Sequence, residues 1–244
     1  MIKFSICIPT LNEEKYVGKL LDCLVAQKHK NFEVIVVDGK SKDKTKDVVL
    51  SYKDKLNIQF IPSPRRGVSY QRNYAEKHAK YPDVIFFDAD VQINPDFLEK
   101  IERYLEKHDV DVLTSWNEPL SDKPADDFIY LLMNVFLLEL IKRKMPAAVG
   151  CFIYVKKSSF EKVGGFDKNI SFAEDYDLVK RFHDKGFKYA LLKRPRVKVS
   201  VRRFDREGRM KMILKELKAA YYYFSDGQDY SKLQKKIKHE FGNF

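Results

Sequence analysis

The length and composition of the chain favour a folded α/β protein and argue against several other classes. Its 244 residues, 44% of them hydrophobic, can build a full core, so we do not expect a disordered chain. The three cysteines and five histidines show no disulfide or metal-ligand spacing, which favours a reducing compartment and argues against a histidine-based metal site. The net charge of +11 favours anionic partners, which include phosphates, nucleic acids and acidic lipid surfaces.

The first hundred residues alternate between predicted strands and predicted helices. Strands are predicted at 3–9, 32–37, 57–61 and 84–91, with helices between them at 16–25, 43–52 and 68–79. Such alternation calls for a mostly parallel sheet with right-handed crossovers. Ligands bind at the carboxyl edge of sheets of this kind. We therefore expect a site where the first, second and fourth strands end, at Thr10, Asn12, Asp38 and Asp88.

The fourth predicted strand ends in two carboxylates. Four large apolar residues, 84–87, indicate burial on both faces, and Asp88 and Asp90 follow them. Because side chains alternate along an extended chain, Asp88, Asp90 and Gln92 are predicted to face the same way, toward one hard cation such as Mg²⁺ or Mn²⁺. An isolated triplet of this kind is short and common, and alone it is also explained as the end of a strand.

The second half of the chain is less regular. Strands are predicted at 110–116 and 147–155, and a long apolar helix at 126–144. Glu174 and Asp175 lie in the first turn of another predicted helix, where carboxylates interact favourably with the helix dipole. Taken alone, these two acids are better explained as residues that start a helix than as functional groups.

The carboxyl-terminal part, 201–244, is predicted to form a basic helical extension beside a domain spanning 1–200. Apolar side chains recur at helical spacing along 209–224, and Lys211, Lys215 and Lys218 lie largely off that stripe. The helix is either an ordinary closing helix with a solvated basic face or an amphipathic helix resting on an anionic membrane. The chain begins almost at once with a strand and has no leader-like segment, so we expect a cytoplasmic protein. Peripheral attachment to the inner face of the membrane stays open.

Five motifs give the chain a resemblance to the family 2 glycosyltransferases. They occur in that family's order and spacing, and they are PTLNEE (9–14), VIVVDGKSKDKT (34–45), GVSYQRNYA (67–75), DAD (88–90) and GGFDKNISFAEDYDL (164–178). The resemblance covers roughly residues 3–200. It implies a GT-A type fold, which is a mostly parallel twisted sheet flanked by helices with further helices at the carboxyl end. It also implies inverting transfer of a sugar from a nucleoside diphosphate sugar, with UDP and GDP both open.

The resemblance also implies a role for each motif. Asp88 and Asp90 would hold Mn²⁺ or Mg²⁺ on the diphosphate, Gln92 would be a further ligand, and Asp175 beside Glu174 would be the catalytic base. The residues implied around the base, ribose and diphosphate of the nucleotide are Pro9, Thr10, Asn12, Glu13, Asp38, Gly67, Arg72, Asn73 and Asp88.

The acceptor is less clearly indicated. The QxxRW motif of processive polymer synthases is missing, and SVRRFDREG (200–208) stands near its place, so we expect a non-processive enzyme. Arg202 and Arg203 are candidates for contacts with phosphate or acceptor. The EDYDL motif favours an acceptor hydroxyl on a glycan or a lipid-linked glycan. Gln92 and the basic extension instead favour a polyprenyl phosphate.

Two rival functions fit the same composition. A sugar nucleotidyltransferase would also need a metal and phosphate contacts, but such enzymes usually open with a glycine-rich loop and a basic residue, whereas PTLNEE is glycine-free and acidic. A nucleic-acid-binding module would explain the net charge, but it requires a clustered basic face with stacking aromatic side chains. It does not need the carboxylates that are predicted to gather at one edge of the sheet. We therefore expect no nucleic acid partner.

Overall fold

The computed structural model of the protein describes residues 1–139, 142, 146–170, 173–215 and 217. Its strands are β1 (Phe4–Thr10), β2 (Phe32–Asp38), β3 (Ile58–Pro62), β4 (Asp83–Phe87), β5 (Val91–Gln92), β6 (Val112–Leu120), β7 (Phe152–Lys156) and β8 (Tyr189–Ser200). Its helices are α1 (Val17–Val25), α2 (Thr45–Leu50), α3 (Val68–His78), α4 (Phe97–Leu105), α5 (Pro124–Leu132), α6 (Lys157–Val163), α7 (Glu174–Asp184) and α8 (Arg202–Glu207). A π-helical segment, Met133–Glu139, continues α5, and residues 209–215 are helical as well.

The described strands form one eight-stranded sheet in the order β3, β2, β1, β4, β7, β6, β8, β5. The first four strands pair in parallel, as their alternation with helices predicts. The second half is mixed, because β7 runs antiparallel to both β4 and β6 while β6 and β8 are parallel. The predicted α/β class is therefore confirmed, and the parallel pairing is concentrated in the first hundred residues.

Apolar layers cover both faces of this sheet because its central strands are buried on both sides. Along β1, Ile6 and Ile8 pack into the layer that contains α1, whereas Cys7 between them packs into the layer that contains α6 and α7. All seven residues of β1 are buried. Burial of this kind suits parallel strands covered by helices on both faces, and it holds the carboxyl ends of β1 and β4 side by side.

The predicted end of the fourth strand is wrong. β4 ends at Phe87, residues 88–90 form a turn, and β5 begins only at Val91. At the start of the turn the Asp88 N–H donates to the Cys151 carbonyl at 3.3 Å, and β5 then pairs with β8 at the far end of the sheet order. Asp88 and Asp90 therefore do not owe their directions to alternation along a strand.

The second half differs from the sequence prediction at further places. The apolar helix predicted at 126–144 begins at Pro124 and changes to π-helix at Met133, and residues 140, 141 and 143–145 lie outside the described part. The strand predicted at 147–155 starts only at Phe152. The long strand β8 was not predicted, because its Arg and Lys residues hide its alternation.

The carboxyl-terminal helix predicted at 209–224 is described only for 209–215 and 217. Residues 216 and 218–224 lie outside the described part, and the division into 1–200 and 201–244 stays a prediction. Within the described residues, no helix combines the length and the apolar character that crossing a bilayer requires.

Candidate active site

One cavity lies where β1 and β4 end, and it brings together residues from every predicted motif except the second. It is bounded by the loop after β1, the turn after β4, the start of α7, α8 and the π-helical segment. The predicted site residues that line it are Pro9, Glu13, Arg72, Asp88, Asp90, Glu174, Asp175, Arg202 and Arg203. Residues more than a hundred positions apart therefore meet at one edge of the sheet, as open α/β sheets predict.

Arg72 joins two of the motifs inside this cavity. It projects from α3, its side chain is 1% exposed, and it donates from Nη2 to Asp88 Oδ1 at 2.7 Å and from Nη1 to Glu174 Oε1 at 2.8 Å. Nη2 also donates to the Gly150 carbonyl at 3.0 Å. Burial lowers the pKa of the guanidinium, but the carboxylates of Asp88 and Glu174 outweigh it and raise the pKa above its usual value. Arg72 thus stays charged and holds the turn after β4 beside α7.

Arg202 makes a second link of the same kind. Its Nη1 and Nη2 donate to the two carboxylate oxygens of Glu13 at 2.8 and 2.7 Å, and its Nε lies 3.0 Å from Asp90 Oδ2. Its guanidinium also stacks over the ring of Tyr16, with the central carbon 4.4 Å from the ring centroid. The phosphate contact of Arg202 stays a prediction. In this structure its guanidinium contacts the carboxylates of Glu13 and Asp90.

The carboxylates of Glu13 and Asp90 are in an unfavourable environment for negative charge. Burial raises the pKa of both carboxyl groups, and the charge of Asp88 raises both further. Arg202 opposes these effects at both groups, and Arg203 does so at Asp90, but the pKa of each stays above its usual value. A further cation close to Asp88 and Asp90 would relieve this repulsion.

The second motif forms a separate part of the site beside the cavity. Asp38 ends β2, is 6% exposed, and accepts hydrogen bonds from the Ser41 N–H at 2.9 Å, from the Ser41 hydroxyl and from Thr10 Oγ1 at 3.1 Å. These neutral donors hold the carboxylate rigidly at the end of β2. Contacts of Thr10 and Asp38 with a nucleoside stay predictions, and Asp38 must share its oxygens with Ser41.

Asn12 connects the first two motifs through its unusual backbone. It has a φ of 57°, a left-handed conformation that asparagine tolerates better than most residues. Its N–H donates to Ser41 Oγ at 2.8 Å, and its side-chain oxygen accepts from the Lys42 N–H at 2.9 Å. The loops after β1 and β2 therefore form one connected surface.

Besides Thr10, Asn12 and Asp38, three more predicted residues lie outside the cavity lining. Asn73 is buried, and its amide pairs with both backbone groups of Phe166, at 2.7 and 2.8 Å, so it fixes the GGF bend. Gln92 lies in β5 opposite Lys198, and Gly67 precedes α3 with a φ of 126°. Their predicted ligand contacts remain predictions, and the structure gives Asn73 a positioning role.

The start of α7 places the predicted base at the cavity. Ala173 precedes the helix in a left-handed conformation, and the helix then begins with Glu174 and Asp175. Asp175 is 8% exposed and lines the cavity, and one of its oxygens accepts the Tyr176 N–H at 2.9 Å. A carboxylate in this position can accept a proton from a group bound in the cavity.

Sequence reasoning missed two residues that shape this site. A Cβ at Gly150 would lie 3.1 Å from Arg72 Nη2 and 3.2 Å from Asp175 Oδ2, so glycine permits their close approach. Gln71 is fully buried on α3 and donates to the carbonyls of Thr10 and Val37 at 2.8 and 2.7 Å, which ties α3 to the ends of β1 and β2. Gln71 lies within a motif already quoted, whereas no local sequence signal marks Gly150.

Asp88 and Asp90 provide the oxygen donors that a hard divalent cation prefers. Both line the cavity, and their side chains are 30% and 11% exposed. Among the described residues no group of three or more His, Cys, Asp or Glu side chains is arranged to enclose a metal ion. Two carboxylates leave the remaining coordination positions of a cation to substrate oxygens and water, and binding of Mg²⁺ or Mn²⁺ by Asp88 and Asp90 stays a prediction.

Comparison with known proteins decides the family. Residues 5–164 match the family described as Glycosyl transferase family 2, and an uncharacterized glycosyltransferase of Rickettsia typhi is 30% identical over 188 residues, 73% of this chain and 58% of that protein. The chain belongs to glycosyltransferase family 2. The family predicted from the five motifs is thus confirmed.

Further relatives of this family 2 glycosyltransferase share its sequence or its fold. The poly(ribitol-phosphate) beta-N-acetylglucosaminyltransferase TarS of Staphylococcus aureus is 38% identical over 117 residues, which are 46% of this chain and 20% of TarS. The crystal structure of TarS 1–349 in complex with UDP-GlcNAc superposes with a TM-score of 0.68 and 26% identity over 82% of this chain and 58% of that one. A mannosyltransferase of Pyrobaculum calidifontis in complex with GDP-Man and Mn²⁺ shares the fold, with a TM-score of 0.68 and 22% identity over 82% of this chain and 57% of that one. These likenesses confirm the predicted GT-A type fold.

Proposed function

We propose that this protein transfers a sugar from a nucleoside diphosphate sugar to an acceptor, with inversion at the anomeric carbon. The observation that carries the proposal is the single cavity that Asp88, Asp90 and the helix-start carboxylate Asp175 all line. Within it Arg72 joins Asp88 to Glu174, the residue before Asp175. Family membership and the UDP-GlcNAc complex of TarS support a nucleotide-sugar donor. UDP and GDP both remain candidates for the nucleotide.

The donor would lie along the edge of the sheet. Thr10, Asn12 and Asp38 would contact the base and ribose, which places the diphosphate toward Asp88 and Asp90. Mg²⁺ or Mn²⁺ on these two carboxylates would neutralise the negative charge that develops on the leaving diphosphate. Arg72, pinned between Asp88 and Glu174, keeps the turn after β4 in place while the donor binds.

Asp175 would act as general base on the acceptor. A sugar hydroxyl is a weak nucleophile until its proton is removed, and a carboxylate within the cavity can take that proton as the oxygen attacks the anomeric carbon. One attack from the side opposite the leaving group inverts the configuration. A hydroxyl on a glycan or a lipid-linked glycan is therefore the acceptor that the site favours, and transfer would be non-processive.

A polyprenyl phosphate is the alternative acceptor. Its phosphate is already anionic at neutral pH and needs no base. Arg203 lines the cavity and is suited to such a group. The scattered cysteines favour a cytoplasmic site for either reaction.

A panel of nucleotide sugars tests the proposal. Each UDP and GDP sugar is added with manganese, and thermal unfolding and slow donor hydrolysis are measured, because a ligand that binds only the native state raises apparent stability. We expect one donor to stabilise the protein and to be hydrolysed. In the Asp88→Asn variant, the manganese-dependent part of both the stabilisation and the hydrolysis should be lost. Asp54→Asn, an exposed carboxylate outside the cavity, is the matched control. If no nucleotide sugar binds or turns over with the parent protein, the proposal is wrong.

A further inference from the structure

Exposed apolar side chains are concentrated on two neighbouring elements. Among the described residues, every exposed large hydrophobic side chain except that of Met1 lies on α5 with its π-helical continuation or on the helical residues 209–215 and 217, which we call the last helix. On the first element they are Phe128, Leu131, Leu132 and Phe136, and on the second Met210, Leu214 and Leu217. We name these seven side chains the apolar face. They are between 38% and 69% exposed, which is unusual for large apolar residues gathered together.

The two elements that carry the apolar face are packed against each other. Arg209 donates to both carboxylate oxygens of the fully buried Asp126, at 2.5 and 2.8 Å. Beside this ion pair Met212 packs with Phe204, and Ile129 and Tyr130 of α5 pack against the same small cluster. The buried sides of both helices are thus occupied, and their apolar faces are left on the outside.

Exposed basic side chains lie on the elements that carry the apolar face and on elements next to them. Lys193 and Arg194 of β8 are exposed, and Lys193 Nζ lies 3.8 Å from Glu139 at the end of the π-helical segment. Arg206 of α8 and Lys211 of the last helix are exposed as well. A surface of this composition suits an apolar layer with an anionic boundary, since the apolar side chains enter the layer and the cations meet the anions.

The apolar face also borders the active-site cavity. Tyr130, Met133 and Leu138 of the first element and Met212 of the second line that cavity with inward-facing side chains. The lipid chain of an acceptor that enters the cavity would therefore contact these apolar side chains. We propose that the apolar face docks on an anionic lipid bilayer and that the acceptor is attached to that bilayer by a lipid. The acceptor part of this inference rests on the proposed function.

Vesicle flotation of the full chain tests the docking. The probes are vesicles of phosphatidylcholine alone and of an equal mixture of phosphatidylcholine and phosphatidylglycerol. We expect flotation with the mixed vesicles at low salt, weaker flotation at high salt because ions screen the basic side chains, and little with phosphatidylcholine alone. Equal binding to both vesicles, or none to either, would overturn the inference.

Three variants separate the apolar contribution from the electrostatic one. The double change Phe128→Ser and Leu214→Ser keeps the charge, and we expect it to weaken binding to mixed vesicles by about tenfold or more. Lys211→Glu keeps the apolar face and should weaken binding by about fivefold or more. Lys107→Glu makes the same charge change at an exposed position after α4 and should bind as the parent does. Equal losses for Lys107→Glu and Lys211→Glu would reduce the effect to net charge and contradict a specific face.

Two further measurements keep the outcomes distinct. Light scattering of the parent and of the double variant reports self-association. If the parent is a dimer, the double variant is a monomer and the parent does not float, a second copy of the chain covers the apolar face and the docking inference is wrong. Donor hydrolysis without vesicles is measured on the same preparations. A protein that hydrolyses its donor but never floats refutes only the docking, whereas one that floats but binds no nucleotide sugar refutes only the proposed function.

Discussion

The two parts of the site hold buried carboxylates in different ways. Asp38, at the end of β2, accepts hydrogen bonds from the neutral groups of Ser41 and Thr10. Asp88 and Asp90, in the turn after β4, are instead paired with the arginines Arg72 and Arg202. Neutral donors fix the geometry and leave the charge in place, whereas a guanidinium neutralises the charge that it contacts.

The first arrangement is suited to recognition and the second to compensation of charge, and we name them the recognition part and the charge-compensating part. A rigid carboxylate at the end of β2 is suited to hydrogen bonding with a ligand that does not change during the reaction. The cavity instead gathers Glu13, Asp88, Asp90, Glu174 and Asp175, whose repulsion requires cations. A divalent cation on Asp88 and Asp90 would add to the charge compensation that Arg72 and Arg202 already provide. Substitutions in the two parts should consequently change different measured quantities.

The largest effect is expected at the turn after β4. Asp88→Asn and Asp90→Asn each remove a charged oxygen donor for a hard cation, so we expect sugar transfer to be abolished and manganese-dependent nucleotide binding to be weakened. Transfer assays and calorimetric titration with and without EDTA measure the two effects. Full transfer by both variants in the presence of EDTA would contradict the metal role. Asp54→Asn should behave as the parent protein.

Asp175→Asn is expected to have the next largest effect and to identify the acceptor. With a hydroxyl acceptor, loss of a positioned general base should reduce turnover roughly 10² to 10⁴-fold with little change in donor affinity. With a phosphate acceptor, turnover should stay within a few-fold of the parent, and Arg203→Ala should be the more harmful change. Initial rates on the true acceptor distinguish the two results. Asp177→Asn, two positions along α7 and paired with Arg181, controls for altered helix charge.

Arg72→Leu is expected to affect stability more than recognition. It leaves Asp88 and Glu174 without their shared cation, and breaking a buried ion pair in this way costs about 3 to 5 kcal/mol in the free energy of unfolding. Partial exposure of Asp88 should bring the loss to the lower end of that range. Urea unfolding measures it, and added manganese should recover part of the loss. Arg196→Leu, a half-exposed arginine stacked on Trp116, should cost less. Equal losses of unfolding free energy in the two variants would contradict the role of Arg72 in holding the turn after β4 beside α7.

The smallest effect is expected in the recognition part. Asp38→Ala removes a hydrogen-bond acceptor remote from the reacting carbon, so affinity for the free nucleoside diphosphate should fall by about 1 to 3 kcal/mol. Turnover at saturating donor should change less. Titration with the nucleoside diphosphate and with inorganic diphosphate gives the contrast, because only the first ligand contains the base. An unchanged dissociation constant for the nucleoside diphosphate would refute the assignment.

Local sequence was most informative where structure depends on neighbours along the chain. The order of strands and helices in the parallel first half was predicted correctly, apart from the end of the fourth strand, because buried strands and amphipathic helices each have a period that a short window reveals. β8 was missed because its basic side chains obscure that period, and because it pairs with β6, whose residues lie 77 to 80 positions earlier in the chain. The change from α5 to π-helix at Met133 also had no local sequence signal. In the structure, the side chain of Asn134 in the π-helical segment is hydrogen-bonded to both backbone groups of Asn117.

The sequence by itself determined the α/β class, the family and the motifs that meet at the cavity, because those properties follow from local periodicity and from short patterns with fixed spacing. The charge pairs were decided only by tertiary structure. Arg72 reaches Glu174 across 102 positions, and Arg202 reaches Glu13 across 189, so neither pairing has a local signal. Asp88 and Asp90 were predicted to lie on one strand, yet the directions of their side chains are set by a turn and by ion pairs with Arg72 and Arg202, which are distant in sequence. A carboxylate's partner depends on which charges approach it in space, and spacing along the chain does not encode that.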